Sequence, residues 1–553
     1  MKISGAQIVV ETLIEQETKV IFGYPGGQVL NIYDALYGAR DRIKHILTAH
    51  EQGAAHAADG YARATGKVGV VLATSGPGAT NLVTGIANAY LDSVPLVAIT
   101  GNVPCSLIGR DSFQEVDIVG ITMPIVKHNY IVKDVTELAD TIREAFRIAK
   151  SGRPGPVLID IPKDVQIAET EFSPKGAVEP YPKKPLNFEK INEAAEMINA
   201  SKRPYIYAGG GIVTAGAGEE TAQLAELIDA PIGCSLMGIG AVSSENKRNL
   251  GMTGMHGSYT ANKAKMAADL VVAVGVRFSD RATGKKDEYL KDAKIIHIDI
   301  DPCEIDKNIP SQLGIEGDVK DVLDELIKKV NQKHNEEWMK KISDLKKYED
   351  ENSLHYEGRL NAYEIIECVN KLANSNTPVA TDVGQHQMWT AQKYSFTKTR
   401  RFITSGGLGT MGFGMGAAIG ASVGTGEKTV LFTGDGSFGM NLNELATAVK
   451  NDVPLVIILL NNGVLGMVRQ WQTMFYNEHY SETTLERKTD FVKLAEAFGA
   501  KGLRITKEDE LESVMKEAFD THGTVVVDCH IDMDDKVFPM IPPNKAVSDL
   551  ILK

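Results

Sequence analysis

The chain has no apolar run approaching the ~18 residues of a membrane span, and no run of Lys or Arg that would grip a polyanion. Positive charge is in deficit: 59 Lys and Arg against 72 Asp and Glu leave a formal net charge of −13. Neither a nucleic acid nor a membrane surface is therefore an expected partner. Cysteine is scarce, five residues at 105, 234, 303, 368 and 529, with no CxxC pair. That excludes a disulfide framework and a cysteine-based zinc site, and the expected compartment is the cytoplasm. The opening "MKISGAQIVVETLIEQ" has helical periodicity and early acids where a signal peptide would have an apolar core and a cleavage site. Two nucleotide signatures are also missing. No glycine turn carries GK[ST], so a P-loop is not expected, and the stretch over about 190–345 has no proper GxGxxG turn.

What is present is a globular balance, 43% hydrophobic and 24% charged, over 553 residues, enough for several domains. Apolar runs that end in glycine alternate with helical stretches: "VGVVLATSGPG", "PLVAITG", "YIYAGGG", "LVVAVG", "TVLFTGDG" and "PLVIILLNN". Such alternation predicts parallel sheets wrapped by helices. Two polar stretches interrupt it, "SPKGAVEPYPKKPLNFEK" (173–190) and "KKVNQKHNEEWMKKISDLKKYEDENS" (328–353). The expected organisation is a first domain over 1–172, a linker over 173–190, a central domain over 191–345, a linker over 346–360 and a third domain over 361–553 that ends in a lid. The first and third domains echo each other. "VLATSGPG" and "VPLV" in the one match "VLFTGDGS" and "VPLV" in the other, Thr74 with Thr433 and Pro95 with Pro454 at a shared offset of 359. Generic βαβ convergence and two related domains both produce such an echo; the common offset favours the second.

The turn "FTGDGSFGMNL" (432–442) sits where α/β proteins hold phosphates, yet it presents an acid, Asp435. Asn462, 27 residues on, closes the next strand. Consecutive parallel strands lie side by side, so both side chains reach the crevice beyond the strand ends, where open α/β sheets bind ligands. Asp and Asn offer hard oxygens of the kind Mg²⁺ or Ca²⁺ prefers, and a cation there would bridge to phosphate. An Asx-capped turn beside a capped strand end fits the same spacing.

GDG followed by 24 residues and NN resembles the diphosphate motif of thiamine-diphosphate enzymes. The resemblance implies three doubly wound parallel-sheet domains, with Asp435, Asn462 and the Val464 carbonyl on Mg²⁺ and Gly434, Gly436 and Ser437 in the cofactor turn. Such a cofactor also needs a distant carboxylate at its pyrimidine. Glu51, in "HEQGAAHAADGYARATG", has the setting of the family's activating Glu. Taken alone, it is as well read as an acid at a helix N-terminus.

Over essentially the whole chain, "GYPGG", "SGPGATNL", "DSFQE", "RPGPVLIDIPKDV", "GMHG", "RFSDRATG", "GGLGTMGFG" and "MVRQWQ" are similar to the catalytic subunits of biosynthetic acetolactate (acetohydroxyacid) synthases. That likeness implies decarboxylation of pyruvate and transfer of its hydroxyethyl unit to pyruvate or 2-oxobutanoate, early in valine, leucine and isoleucine synthesis. It implies Met411 and Gly26 against the cofactor, Gln114 and Phe113 in the reaction pocket, and Lys163 and Arg281 facing substrate carboxylates. Met467 and Trp471 would shape the acceptor side. The central domain would hold FAD in a structural role through Arg153, Gly209, Gly210, Met255, His256, Arg277, Asp299 and Asp318. The implied assembly is a homodimer or dimer of dimers, with a small regulatory subunit. Catabolic FAD-free synthases and pyruvate oxidase-like enzymes are the alternatives. Arg110, Ser112 and Ser279 depart from the common family pattern.

Overall fold

The computed structural model describes residues 1–553 except His355 and Glu357. The linker expected over 346–360 takes in both positions, which lie outside the described residues. Three six-stranded parallel sheets follow one another along the chain. The first contains β1 (Val20–Gly23), β2 (Lys44–Leu47), β3 (Gly69–Ala73), β4 (Leu96–Asn102), β5 (His128–Ile131) and β6 (Pro156–Pro162), in the spatial order β2-β1-β3-β4-β6-β5. The central sheet contains β7 (Pro204–Ala208), β8 (Ile232–Cys234), β9 (Asn249–Met252), β10 (Leu270–Val274), β11 (Lys294–Asp299) and β12 (Leu313–Glu316), ordered β9-β8-β7-β10-β11-β12. The third contains β13 (Val379–Thr381), β14 (Phe402–Ile403), β15 (Thr429–Gly434), β16 (Leu455–Asn461), β17 (Lys501–Ile505) and β18 (Thr524–His530), ordered β14-β13-β15-β16-β18-β17.

The first and third sheets thus share one strand order, and the echoed segments occupy the same places in it, β3 with β15 and β4 with β16. The central sheet follows a different order, the 3-2-1-4-5-6 arrangement typical of dinucleotide-binding sheets. The apolar runs are continuous because both faces of each strand are covered. Along β3, Val70 and Leu72 join one hydrophobic cluster while Val71 and Ala73 join another. Along β10, Leu270, Val272 and Val274 face away from Val271 and Ala273, and in β15 Val430 and Phe432 oppose Leu431. Each such aliphatic side chain contributes about 1.5–3 kcal/mol by leaving water.

The first and third units pack through α1 (Glu51–Thr65) and α2 (Phe413–Thr425). The small Gly and Ala side chains of both helices let the backbones touch, the glycines at a cost in helix propensity that the alanines do not carry. A Cβ on Gly60 would lie 2.1 Å from the Ala417 carbonyl oxygen, and one on Gly420 would lie 1.8 Å from that of Ala57. α1 stops at Gly66, whose left-handed φ of +75° suits glycine. Arg63 of α1 pairs with Asp59 and with Asp92, 2.9 Å away, and Asp92 also accepts from the Gly406 and Gly407 N–H groups at 2.9 and 2.7 Å. The buried charges are therefore paired.

Residues 172–187 carry no helix or strand. The helix Glu336–Asn352 runs unbroken across the 345/346 division read from the sequence, anchored to the central core by the buried Trp338 and Ile342. A tail after β18 returns to the central unit, where the Ile541 N–H donates to the Met255 carbonyl at 2.8 Å. Among the described residues, no helix is long and apolar enough to cross a membrane.

Candidate active site

β15 and β16 are hydrogen-bonded neighbours with Gly434 level with Leu460. Asp435 and Asn462 therefore leave adjacent strand ends on the same side of the sheet. Asp435 is 5% exposed, and no Lys or Arg forms a salt bridge with its carboxylate among the described residues. Burial pushes its carboxyl up to about 6, opposed by the backbone N–H groups of its own turn. The Asn462 side-chain amide donates to Gln385 Oε1 at 3.3 Å, and its oxygen accepts from the Val464 N–H at 3.2 Å. Ser437 Oγ donates to the Val383 carbonyl at 2.9 Å. Met411, Gly434, Gly436, Val464 and Met467 line the same cavity.

A third strand end completes this cradle, and sequence reasoning missed it. Residues 383–386 follow β13, the neighbour of β15 on its other side, and Gln385 and His386 both line the cavity. His386 is buried and held neutral, its ring pushed down to about 3 by desolvation. Its Nε2 has no hydrogen-bond partner among the described residues. A Cβ on Gly434 would come within 3.0 Å of that ring, so the GDG glycine makes room for the histidine. The available signal was a polar "DVGQHQ" directly after an apolar run.

The first-unit candidates gather at the carboxyl ends of the first sheet. Glu51 opens α1, and Asn81 donates to its Oε2 at 2.9 Å. The close approach of the Gly26 backbone to Thr74 leaves no space for a side chain, since a Cβ would meet Thr74 Cγ2 at 2.4 Å. Lys163 Nζ donates to the Gly27 carbonyl at 3.2 Å. Gln114 packs its backbone over Gly76, and Phe113 beside it is 84% exposed. None of these residues lines the Asp435 cavity, whose walls all come from residues 383–468. Within one chain, the first-unit candidates and the Asp435 cradle do not line that cavity together.

Next to the cradle, a cleft of about 570 Å³ is lined by Met467, Val468, Trp471, Tyr476 and His479. Met467 and Trp471 share α3 (Gly466–Phe475). The Arg281 guanidinium sits over the Trp471 ring at 5.6 Å, which brings the central unit to this cleft.

In the central sheet, the order reverses between β7 and β10. Gly209 and Gly210 follow β7, and a Cβ on Gly209 would strike the Gly275 carbonyl oxygen after β10 at 1.9 Å. Asp299 ends β11 with its carboxyl pushed up to about 6 by burial. Arg153 bonds Ser93 Oγ at 2.8 Å and Glu304 at 2.7 Å, and Arg277 donates to the Leu91 carbonyl. The Met255 N–H donates to the Arg281 carbonyl at 2.8 Å. The neighbouring His256 is pushed down to about 4 by burial. Asp318 caps the helix Val319–Ile327 through the Lys320 and Asp321 N–H groups and pairs with Lys183 at 3.1 Å.

Three family models match in succession. They are the N-terminal TPP binding domain of thiamine pyrophosphate enzymes over residues 3–121, the central domain over 191–326, and the C-terminal TPP binding domain over 382–529. Among curated proteins, the acetolactate synthase large subunit of Haemophilus influenzae is 45% identical, covering 100% of this chain and 98% of its own. The probable acetolactate synthase large subunit of Methanocaldococcus jannaschii is 46% identical, covering 99% and 95%. The acetolactate synthase isozyme 3 large subunit of Escherichia coli is 44% identical, covering 97% and 96%.

The chain belongs to the acetolactate synthase large-subunit family of thiamine pyrophosphate enzymes.

The cradle suits a family member's diphosphate and cation. It offers one buried carboxylate that no Lys or Arg salt-bridges among the described residues, although the Arg487 guanidinium donates to the Asp435 backbone carbonyl at 3.4 Å, together with one amide oxygen, neutral donors and glycines. Among the described residues, no group of three or more His, Cys, Asp or Glu could hold a metal without help. A cation here would take few protein oxygens and complete its shell elsewhere, as Mg²⁺ does. The central crevice lies at the reversal of strand order, where open α/β sheets bind ligands, and its glycines let the turns after β7 and β10 pack directly on each other.

Proposed function

We propose that this family member decarboxylates pyruvate and joins the two-carbon unit to a second 2-oxo acid. Pyruvate as acceptor yields 2-acetolactate, and 2-oxobutanoate yields 2-aceto-2-hydroxybutanoate, for branched-chain amino acid synthesis in the cytoplasm. The observation that carries this reading is the pairing of Asp435 and Asn462 at adjacent strand ends in one cavity.

Asp435, Asn462 and the Val464 carbonyl would hold Mg²⁺, with the Gly434–Ser437 turn and His386 around the diphosphate. Met411 and Gly26 would hold the rings. Bound thiamine diphosphate supplies an acidic ring carbon and an electron sink for the departing CO₂. The chain positions a proton for it: Asn81 fixes Glu51 Oε2, leaving Oε1 to exchange a proton with the pyrimidine nitrogen. Lys163 and Arg281 orient substrate carboxylates, Arg281 through its planar fork. Gln114 and Phe113 close the reaction pocket, while Met467 and Trp471 keep water from the acceptor. FAD would lie in the crevice between β7 and β10, near Gly209, Gly210, Arg153 and Arg277, with Met255, His256, Asp299 and Asp318 around it. Its role is structural, because the reaction transfers no net electrons.

Glu51 does not line the Asp435 cavity of its own chain. That separation supports a homodimer, or dimer of dimers, in which Glu51 of one copy completes the cradle of the other. A small regulatory subunit is the further partner. The domain divisions at 172/173 and 360/361 belong to the same reading, whereas 190/191 and 345/346 fall inside the helices Phe188–Ala200 and Glu336–Asn352 and move to the ends of those helices.

The test is a competition assay. The purified chain receives thiamine diphosphate, Mg²⁺, FAD, pyruvate and 2-oxobutanoate. Both acetohydroxy acids should form, with flavin absorbance and without an electron acceptor. Acetate or acetyl phosphate as product, dependence on an electron acceptor, or no CO₂ release would overturn the proposal. Full activity without flavin would place the chain with the FAD-free synthases.

A further inference from the structure

We infer that Glu444, a residue of the third unit, is a positioning residue for Glu51 in the same chain. The segment that begins at Asp435 ends in a turn over Leu442–Glu444, and Glu444 is fully buried there. Its carboxylate does not face the Asp435 cavity. It reaches into the first unit and clamps the two residues before Glu51: the Ala49 N–H donates to Oε2 at 3.1 Å and the His50 N–H to Oε1 at 3.0 Å. Thr447 Oγ1 donates to the same Oε2 at 2.5 Å. Gly53 follows one turn later, and a Cβ there would lie 2.0 Å from Glu444 Oε1. The carboxylate therefore occupies the place of a side chain on α1.

This clamp decides how α1 begins. Ala49 and His50 connect β2 to α1, and His50 is the N-cap, its ring Nδ1 accepting from the Gln52 N–H at 3.1 Å. With both N–H groups held on one rigid carboxylate, the direction of the first helical residue, Glu51, is set from below, while Asn81 holds its far oxygen. A carboxylate presents two acceptors to two successive N–H groups. An amide presents one acceptor and an NH₂ that opposes the second N–H. Glu444→Gln keeps size and packing but leaves one buried donor unpaired.

The role rests on the reading of Glu51 as the cofactor's activating acid, and the test separates the two. In the cofactor-free chain, Glu444→Gln should speed amide hydrogen exchange in the peptide spanning 44–52 at least tenfold, with the 435–442 peptide unchanged. In the loaded enzyme, hydrogen exchange at the cofactor's C2 should fall roughly 10–100-fold. Affinity for thiamine diphosphate with Mg²⁺ should stay within about threefold, and the Glu51→Gln, Glu444→Gln pair should be no slower than Glu51→Gln alone. Thr447→Val, which removes only the hydroxyl donor, should give an intermediate loss and covers the case of a poorly folding Gln variant. Unchanged C2 exchange in both variants, or additive losses in the pair, overturns the positioning role. If Glu51→Gln itself exchanges at the wild-type rate, the assignment of Glu51 has failed and the role of Glu444 falls with it.

Discussion

At the residue scale, Glu51 and Lys265 carry the sharpest expectations. Glu51→Gln preserves volume and the α1 start but removes the group that exchanges a proton. Activity should fall on the order of 10²–10⁴-fold, while calorimetry should still record cofactor binding. Wild-type rates of C2 hydrogen exchange would contradict the role. Lys265 is different in kind. It is fully buried, its Nζ has no hydrogen-bond partner among the described residues, and it lies 4.7 and 4.9 Å from the Tyr207 and Tyr289 ring centroids. Burial pushes it down to about 7 from 10.5. Between pH 7 and 10 the unfolded chain binds a proton that the folded chain does not, so stability rises with pH by about 1.4 kcal/mol per unit from this group. Below pH 7 both states are protonated and the full penalty stands. Lys265→Met should raise the melting temperature of the central unit more at pH 7 than at pH 9. An equal gain at both pH values, or a loss, would refute this account of the buried lysine.

At the element scale, the contact between α1 and α2 joins the first and third units. Gly420→Ala places a methyl 1.8 Å from the Ala57 carbonyl oxygen, so the helices must separate. Overpacking of this kind costs typically ~1–3 kcal/mol, and calorimetry should show a lower melting temperature. Gly38→Ala is the control, because nothing lies within 4 Å of its Cβ among the described residues, and it should be neutral to slightly stabilising, since Ala favours a helix over Gly. A Gly420→Ala melt that matches the control would contradict the close packing. Much of this scale was legible in the sequence. Strand, glycine turn and helix could be read wherever an apolar run was covered on both faces. The offset of 359 carried through to one strand order in two sheets. The small residues of α1 announced a close neighbour without saying which. The charged helix Glu336–Asn352 was harder: its exposed face reads as a boundary, while the buried Trp338 and Ile342 tie it to the core. Gln385 and His386 were missed because their strand end joins Asp435 through sheet order, which no spacing within the chain records. Glu444 was invisible for the same reason, since its partners lie 395 and 394 residues away.

At the scale of the whole molecule, the account's central claim is that the site is divided between two copies of the chain. Glu51 and the Asp435 cradle stand in the first and third units, and Glu51 does not line the Asp435 cavity of its own chain, yet the chemistry needs both at one cofactor. A two-fold dimer answers this with two identical sites, each completed by the partner. The direct measurement is complementation. Glu51→Ala and Asp435→Ala are expressed separately, where each should be nearly inactive, and then together in equal amounts. With random pairing, about half the dimers are mixed, and each mixed dimer holds one intact and one doubly damaged site, so activity should return to about a quarter of wild type. Mixed dimers verified by mass that show no recovered acetolactate formation would contradict the divided site.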